Sequence, residues 1–275
     1  MAGAAAASNA EVGETLSTAA DSTAAFFDVD NTVMQGASIF HFARGMHRRE
    51  FFTTKDIVKA AWDQAYFRII GIEDPEAVAN ARESALSFIA GHRVEELASL
   101  GEAIFDEAMA HRIWPGTKAL VQEHIDRGQR VWLVTAAPVE IARIIAHRLG
   151  LTGALGTVAE HIDGVYTGRL VGELLHGSAK AEAVRALAAQ EGLDLSRCSA
   201  YSDSFNDLPM LSLVGDPCAV NADGRLLEHA RSLGWRVYDY RTGRNAARLG
   251  LFGAAMAGAV VGSVAAGVAL RRKMR

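Results

Sequence analysis

The stretch AAFFDVDNTV, residues 24 to 33, decides the fold of this chain. An apolar run there leads into two carboxylates, Asp28 and Asp30, and turn-forming residues follow. This order predicts a buried β-strand whose carboxyl end carries both acids. Residues i and i+2 of an extended chain point to the same side, so Asp28 and Asp30 can face one ligand. Taken alone, the pair indicates little, because carboxylates also end strands as turn formers.

Apolar runs of the same kind recur at residues 131 to 134 and 198 to 201. Amphipathic helical stretches separate them, including residues 139 to 149 and 179 to 190, which begin or end at typical helix boundary residues. The alternation predicts βα units around a parallel sheet, and therefore an α/β fold. The dipeptide Asp163-Gly164 lies between two alternating segments and predicts a tight hairpin turn.

An insert interrupts this alternation between residues 36 and 112. Helix follows helix there, as at residues 57 to 70 and 75 to 90, and no comparable strand run occurs. The simplest interpretation is an all-helical insert after the first strand. It divides the chain into a core domain of residues 23–35 and 113–245 and a helical cap domain of residues 36–112.

The two ends of the chain differ in character. Residues 1–22 are rich in small side chains, and we expect a disordered tail without a signal peptide. Residues 249–270 contain no charge and precede a basic cluster; as a helix of about 33 Å they would cross a bilayer core. Gly258 and Gly262 form a GxxxG step suited to helix contact in lipid. We predict a transmembrane helix, with a buried Gly/Ala-rich helix or a mobile tail as alternatives.

Composition limits the partners and the compartment. The chain has 275 residues, 50% of them hydrophobic, a formal net charge of -4 and two cysteines, Cys198 and Cys218. Without a basic excess, nucleic acid is not an expected partner. The cysteines lack the spacing of a zinc or redox motif and cannot form a disulfide framework. We therefore expect a cytoplasmic catalytic domain, anchored to the membrane by its C-terminus.

Polar residues occur at three predicted strand ends. The first end holds Asp28 and Asp30, the second ends VWLVT at Thr135, and the third, YSDSFNDLPM, contains Asp203 and Asp207. Ligands of open parallel sheets bind beyond the carboxyl ends of the strands. Three polar strand ends in one chain are much harder to attribute to turn formation than one, and they predict a site where the strands end together.

These three elements, with Lys180 at the start of a helix, resemble in type and order the haloacid dehalogenase superfamily of phosphohydrolases. The resemblance covers roughly residues 24 to 240. The position of the insert is similar to that in subclass I, type B, which includes the phosphoserine phosphatases. The resemblance implies a Rossmann-like doubly wound core, a helical-bundle cap, phosphatase activity and Mg²⁺ as the cofactor.

Carried over one position at a time, the resemblance makes Asp28 the nucleophile and Asp30 the general acid and base. It implies that Asp28, Asp203 and the backbone carbonyl of Asp30 hold Mg²⁺, supported by Asp207. Because carboxylates and a phosphate repel one another, a hard divalent cation suits such a site. Beside it the pKa of Asp28 should stay low, whereas Asp30 can hold a proton. The residues implied to bind the phosphoryl group are Thr135, Lys180, Asn31 and Ala136.

The substrate stays open at this point. Phosphoserine phosphatases typically have Ser-Gly-Gly where this chain has Thr135-Ala136-Ala137. They also place a glutamate after the first motif to bind the substrate ammonium, and residues 33 to 40, VMQGASIF, contain no acid. We expect a small or lipid-linked phosphorylated metabolite, with phosphoserine as the alternative. A catalytically inactive, membrane-tethered binding protein is a second alternative, and transfer to an alcohol instead of water stays open.

Overall fold

The computed structural model describes residues 22–49, 51 and 89–241. Its strands are β1 (Ala24–Phe27), β2 (Arg130–Pro138), β3 (Gly153–Thr157), β4 (Ala159–Ile162), β5 (Val165–Leu170), β6 (Ser199–Ser202), β7 (Asp216–Val220) and β8 (Arg236–Tyr238). Six of them form a parallel sheet in the order β3-β2-β1-β6-β7-β8, and β4 and β5 form an antiparallel hairpin. The predicted α/β fold with a parallel sheet is confirmed.

Helices occupy most of the connections between these strands. Two of them were expected from the sequence: one has the predicted bounds, and the other extends one residue beyond them at each end. Both end before a glycine with left-handed φ, Gly150 at 69° and Gly192 at 63°, the usual conformation after a helix. The α-helices are α1 (Ser38–Arg48), α2 (Val94–Ile104), α3 (Pro115–Asp126), α4 (Val139–Leu149), α5 (Ser178–Glu191), α6 (Leu208–Leu211) and α7 (Gly224–Ser232).

Strand β1 forms the centre of the sheet. It lies between β2 and β6, and all four of its residues are fully buried. A strand covered on both faces is expected to be continuously apolar, which explains the sequence AAFF. The apolar run extends from residue 24 to residue 29, but β1 ends at Phe27 because the chain then turns. The amides of Val33 and Met34 both donate to the carbonyl of Val29 at 3.0 Å.

Strand β2 is longer than its apolar run. Only residues 131 to 134 were expected, but pairing with β3 is interrupted after Val134 and resumes between Pro138 and Thr157. Backbone pairing rather than side-chain character therefore defines this end of the strand. The interruption shapes the segment that contains Thr135.

The predicted hairpin turn is confirmed. Asp163 and Gly164 join β4 to β5 with φ values of 51° and 74°. Positive φ at both central positions is the requirement of the tight turn that matches the twist of two antiparallel strands.

The described part of the predicted cap is helical. It comprises α1 and α2, and a π-helical turn, Phe105–Met109, continues α2. The predicted helix at residues 57 to 70 and nearly all of that at 75 to 90 lie outside the described residues.

The two connections between the core and the insert run side by side. Met34 and Ile113 form an antiparallel bridge, and the amide of Trp114 donates to the carbonyl of Val33 at 2.9 Å. The predicted boundaries at residues 36 and 112 lie beside this bridge, and the division into core and cap stays a prediction.

Both chain ends lie largely beyond the described part. Of the predicted tail, only Ser22 is described, and its carbonyl accepts a hydrogen bond from the Asp194 amide at 2.7 Å. The predicted transmembrane helix at residues 249–270 lies outside the described residues. Among the helices from residue 22 to residue 241 that are described, none is long and apolar enough to span a membrane.

Gly215 should tolerate no side chain. It precedes β7, and a Cβ placed on it would lie 1.8 Å from the carbonyl oxygen of Ser196. Because this neighbour is backbone, Gly215→Ala should lower the free energy of unfolding by about 1–3 kcal/mol or more. Gly224→Ala is the matched control, since nothing lies within 4 Å of its Cβ position. Urea denaturation of both variants tests this, and equal stabilities would contradict it.

Candidate active site

Three predicted strand ends meet at the carboxyl edge of the sheet. Asp28 follows β1, Thr135 belongs to β2, and Asp203 follows β6; β1 pairs with both of the other strands. Asp28 and Thr135 are buried, and Asp203 is half-buried. This edge is where open parallel sheets bind their ligands.

Lys180 connects two of the predicted acids. Its Nζ lies 2.5 Å from Asp28 Oδ1 and 2.8 Å from Asp207 Oδ2. The three residues are nearly inaccessible, with exposures of 3% for Lys180, 5% for Asp28 and 2% for Asp207. Buried charges need partners, because the desolvation cost is otherwise uncompensated. One ammonium group shared by two carboxylates leaves negative charge in excess.

The pKa values reflect this imbalance. Burial raises the pKa of Asp28 to about 6; Lys180 opposes the shift, and the charges of Asp207 and Asp30 add to it. Burial lowers the pKa of Lys180, but the charges of Asp28 and Asp207 outweigh burial and raise it, so the ammonium stays protonated. The low pKa expected for Asp28 beside a cation is therefore not produced by protein groups alone.

The turn after β1 orients Asp28. Thr32 Oγ1 donates to Asp28 Oδ2 at 2.9 Å, and the Thr32 carbonyl accepts a hydrogen bond from Thr117 Oγ1 at 2.8 Å. Both threonines are completely buried. Thr32 was not among the predicted site residues, although a hydroxyl four residues after Asp28 was a usable signal for a side chain that bonds within its own turn.

Asp30 and Asn31 bond to the segment that leads into α1. The Ser38 amide donates to Asp30 Oδ1 at 2.8 Å, and the Gly36 amide donates to Asn31 Oδ1 at 3.0 Å. Asn31 has a left-handed φ of 61°, which Asn adopts more readily than most residues. Its carbonyl accepts a hydrogen bond from Asn221 Nδ2 at 2.9 Å. The side-chain oxygen of Asn31 is thus engaged within its own loop.

The segment Thr135–Ala137 at the second predicted strand end, called the second motif from here on, is held from two sides. Thr135 Oγ1 accepts a hydrogen bond from the Ala137 amide at 3.1 Å, and the Ala136 carbonyl accepts one from Thr157 Oγ1 at 2.7 Å. These bonds fix the loop beside Asp28 without linking Thr135 to it directly. Phosphate binding by Thr135 and Ala136 stays a prediction.

Asp203 and Asp207 lie on the β6 side of the site. Asp207 Oδ2 accepts a hydrogen bond from Ser202 Oγ at 2.7 Å as well as from Lys180. Burial, followed by the charges of Asp28 and Asp207, raises the pKa of Asp203 to about 7. The three acids that the sequence places in two separate motifs therefore act on one another.

Asp223 was missed by the sequence analysis. Its Oδ2 accepts a hydrogen bond from the Phe205 amide and its Oδ1 one from the Leu226 amide, both at 2.8 Å. Its own amide donates to the Asp203 carbonyl at 2.7 Å. Asp223 thus caps α7 and holds the loop of Asp203. The available signal was an Asp immediately before a helix, a preferred N-cap residue.

The donor set fits a Mg²⁺ ion. In residues 22–49, 51 and 89–241, no group of three His, Cys, Asp or Glu side chains could hold a metal. The predicted ligands do not need three such side chains, because they are the carboxylates of Asp28 and Asp203 and the backbone carbonyl of Asp30. Two carboxylates are enough for Mg²⁺, which usually keeps several waters as its other ligands. The charge of Asp28 raises the pKa of Asp203. A divalent cation between them would remove that repulsion.

Comparison with known families matches residues 25–212 to the haloacid dehalogenase-like hydrolases. The chain belongs to this family. The matched range contains the strand ends and the lysine on which the predicted resemblance rests, and the predicted membership is confirmed.

Relatives of this haloacid dehalogenase-like hydrolase include named phosphatases. Phosphoserine phosphatase SerB1 of Mycobacterium tuberculosis (strain H37Rv) is 56% identical over 252 residues, which cover 92% of this chain and 82% of the relative. Histidinol-phosphatase of Neisseria meningitidis serogroup C is 30% identical, with 79% and 98% covered. A crystal structure of a protein of unknown function from Bordetella pertussis Tohama I has a TM-score of 0.70 at 29% identity, with 79% and 98% covered. The predicted phosphatase class is confirmed.

Lys180→Met should damage both catalysis and stability. We expect kcat/KM for phosphomonoester hydrolysis to fall about 100-fold or more, because the loss of one charge-stabilising donor typically has that effect. Asp28 and Asp207 would lose their shared partner, so the free energy of unfolding should fall by about 3–5 kcal/mol. Lys118→Met, at an exposed position of α3, is the matched control. Steady-state kinetics and urea denaturation test both effects; unchanged kinetics would contradict the predicted role of Lys180.

Proposed function

We propose that this hydrolase is a Mg²⁺-dependent phosphomonoesterase that works through an aspartyl-phosphate on Asp28. The observation that carries the proposal is the buried contact of Lys180 with Asp28 and Asp207 at the carboxyl edge of the sheet. A carboxylate beside a buried ammonium supplies a nucleophile and a charge partner for phosphoryl oxygens in one place.

In the first step, Asp28 attacks phosphorus. A carboxylate oxygen forms the new O–P bond, the ester O–P bond breaks, and Asp30 gives its proton to the departing alkoxide. The Ser38 amide donates to Asp30 Oδ1, and we assign the transferred proton to Oδ2. Asp28 instead faces Lys180 and Thr32. Different surroundings give the two acids different tasks.

In the second step, Asp30 takes a proton from a water molecule. The water oxygen bonds to phosphorus, the Asp28–phosphorus bond breaks, and inorganic phosphate leaves with the carboxylate of Asp28 restored. Lys180 donates hydrogen bonds to the charged phosphoryl oxygens in both steps, and Thr135 binds the same group. With water as the acceptor, the reaction is hydrolysis rather than transfer to another alcohol.

The charge balance of the site supports the proposed cofactor. The Lys180 ammonium contacts the carboxylates of Asp28 and Asp207, and the charges of those two carboxylates help to raise the pKa of Asp203. Asp28, Asp203 and the Asp30 carbonyl would hold Mg²⁺, and Asp207, which follows the same strand as Asp203, would support them. When bound, Mg²⁺ supplies the positive charge that keeps Asp28 ionised and neutralises phosphoryl oxygens.

A small phosphorylated metabolite is the proposed substrate. The relatives named phosphoserine phosphatase and histidinol-phosphatase, at 56% and 30% identity, support this class. Phosphoserine is the second candidate, favoured by the more similar relative. One observation argues against phosphoserine: residues 33–40 contain no acidic side chain that could bind the ammonium group of this substrate. A lipid-linked substrate, membrane anchoring and a cytoplasmic location depend on the sequence alone and stay predictions.

Asp28→Asn should abolish turnover. We expect the wild-type chain to release phosphate from p-nitrophenyl phosphate in Mg²⁺, EDTA to stop the release, and Asp28→Asn to lower kcat by about 1,000-fold or more, because the amide cannot attack phosphorus. Asp126→Asn, at an exposed position of α3, should retain wild-type rates. A folded wild-type chain without turnover would favour the inactive binding protein instead, and an active Asp28→Asn variant would exclude the aspartyl-phosphate.

The amino group of the substrate should matter little. O-phosphoserine and the phosphate ester of 3-hydroxypropionate differ only in that group, and we expect their kcat/KM values to agree within about tenfold, because no acid of residues 33–40 binds an ammonium. A preference for phosphoserine above about 100-fold would establish the second candidate. Lysophosphatidate, assayed with the same full-length chain, should be hydrolysed at least about tenfold less efficiently than either ester, and the opposite order would support the lipid-linked substrate.

A further inference from the structure

The hydroxyl of Thr157 lies between two segments that the proposed mechanism uses. Thr157 is the last residue of β3 and is 3% exposed. Its Oγ1 donates to the carbonyl of Ala136 at 2.7 Å and accepts a hydrogen bond from the amide of Leu175 at 3.0 Å. One side chain therefore joins the second motif to the loop that precedes α5.

Each of these hydrogen bonds ends close to a phosphate-binding candidate. Ala136 directly follows Thr135, so the first bond fixes the backbone beside the Thr135 hydroxyl. Leu175 precedes α5, whose third residue is Lys180. Leu175 is 1% exposed and belongs to the main hydrophobic core. The loop is thus anchored at Leu175 by apolar packing and by the bond from its amide to Thr157.

A hydroxyl is required to make both bonds. It donates one hydrogen and accepts another, whereas a valine of the same shape does neither. The neighbouring residue adds a close backbone contact, because a Cβ on Gly156 would lie 2.6 Å from the Cα of Val139 and 3.0 Å from the carbonyl oxygen of Ala137. The end of β3 therefore lies directly against the second motif. Through its two hydrogen bonds, the Thr157 hydroxyl fixes the loop at Leu175 relative to that motif.

We propose that Thr157 is a positioning residue that sets the distance between the Thr135–Ala136 segment and Lys180, so that both reach one phosphoryl group. The inference rests on the proposed phosphatase function and extends it to a residue that does not touch the substrate. Because misplacement of a catalytic group by about 1 Å can cost roughly 100-fold in rate, loss of the hydroxyl should be visible in catalysis.

The test uses three variants of the full-length chain. Thr157→Val should lower kcat/KM for p-nitrophenyl phosphate by about 10- to 100-fold and weaken inhibition by orthovanadate about tenfold, whereas Thr157→Ser should restore both to within about threefold of wild type. Thr152→Val is the matched control. Thr152 Oγ1 accepts a hydrogen bond from the Val131 amide at 3.0 Å at the opposite end of the same strand pair, so its loss should affect stability and leave kinetics unchanged.

A double-mutant cycle separates positioning from a general loss of stability. If Thr157 acts through Lys180, adding Thr157→Val to Lys180→Met should lower kcat/KM by less than about threefold further, because the lysine is already absent. Thermal unfolding confirms that each variant is folded at the assay temperature. Fully additive effects, or wild-type kinetics and vanadate inhibition in folded Thr157→Val, would overturn the inference and leave the proposed function intact. A wild-type chain without phosphatase activity would overturn both.

Discussion

One buried ammonium group, that of Lys180, holds the site together. Its contacts with Asp28 and Asp207 bring the turn after β1, the loop after β6 and helix α5 to one point. Such an arrangement depends on accurate placement, because a buried charge that loses its partner keeps its desolvation cost. The parallel pairing of β1 with β2 and β6 supplies that placement, and the continuous apolar sequence of β1 allows it to lie at the centre of the sheet.

Around this contact, the loops are held by short polar side chains rather than by apolar packing alone. The hydroxyls of Thr32 and Ser202 donate to acids of the site, and the Asp223 carboxylate accepts a hydrogen bond from the Phe205 amide in the loop that follows Asp203. Burial raises the pKa of Asp28 and of Asp203, and repulsion from neighbouring carboxylates adds to the shift. The same excess of negative charge makes the site suitable for a divalent cation and a poor place for a phosphate without one.

Much of the fold could be predicted because its signals are local. Helix α4 begins after Pro138 and ends before Gly150, and both effects depend on the backbone of single residues. The turn at Asp163-Gly164 is equally local. Strand ends were predicted less well, as at β2, because pairing with β3 resumes beyond the apolar run. That pairing depends on a neighbour that the local sequence does not contain.

The sequence by itself determined the family and predicted the chemical groups of the site, because their types and order along the chain are visible without a structure. Tertiary structure decided their contacts. Strand order and register bring Lys180 between Asp28 and Asp207. They also let Thr157 and Asp223 bond to Ala136 and Phe205, which lie 21 and 18 residues away in the chain. Such contacts join distant residues whose separation has no local signal, so only the packed sheet reveals them.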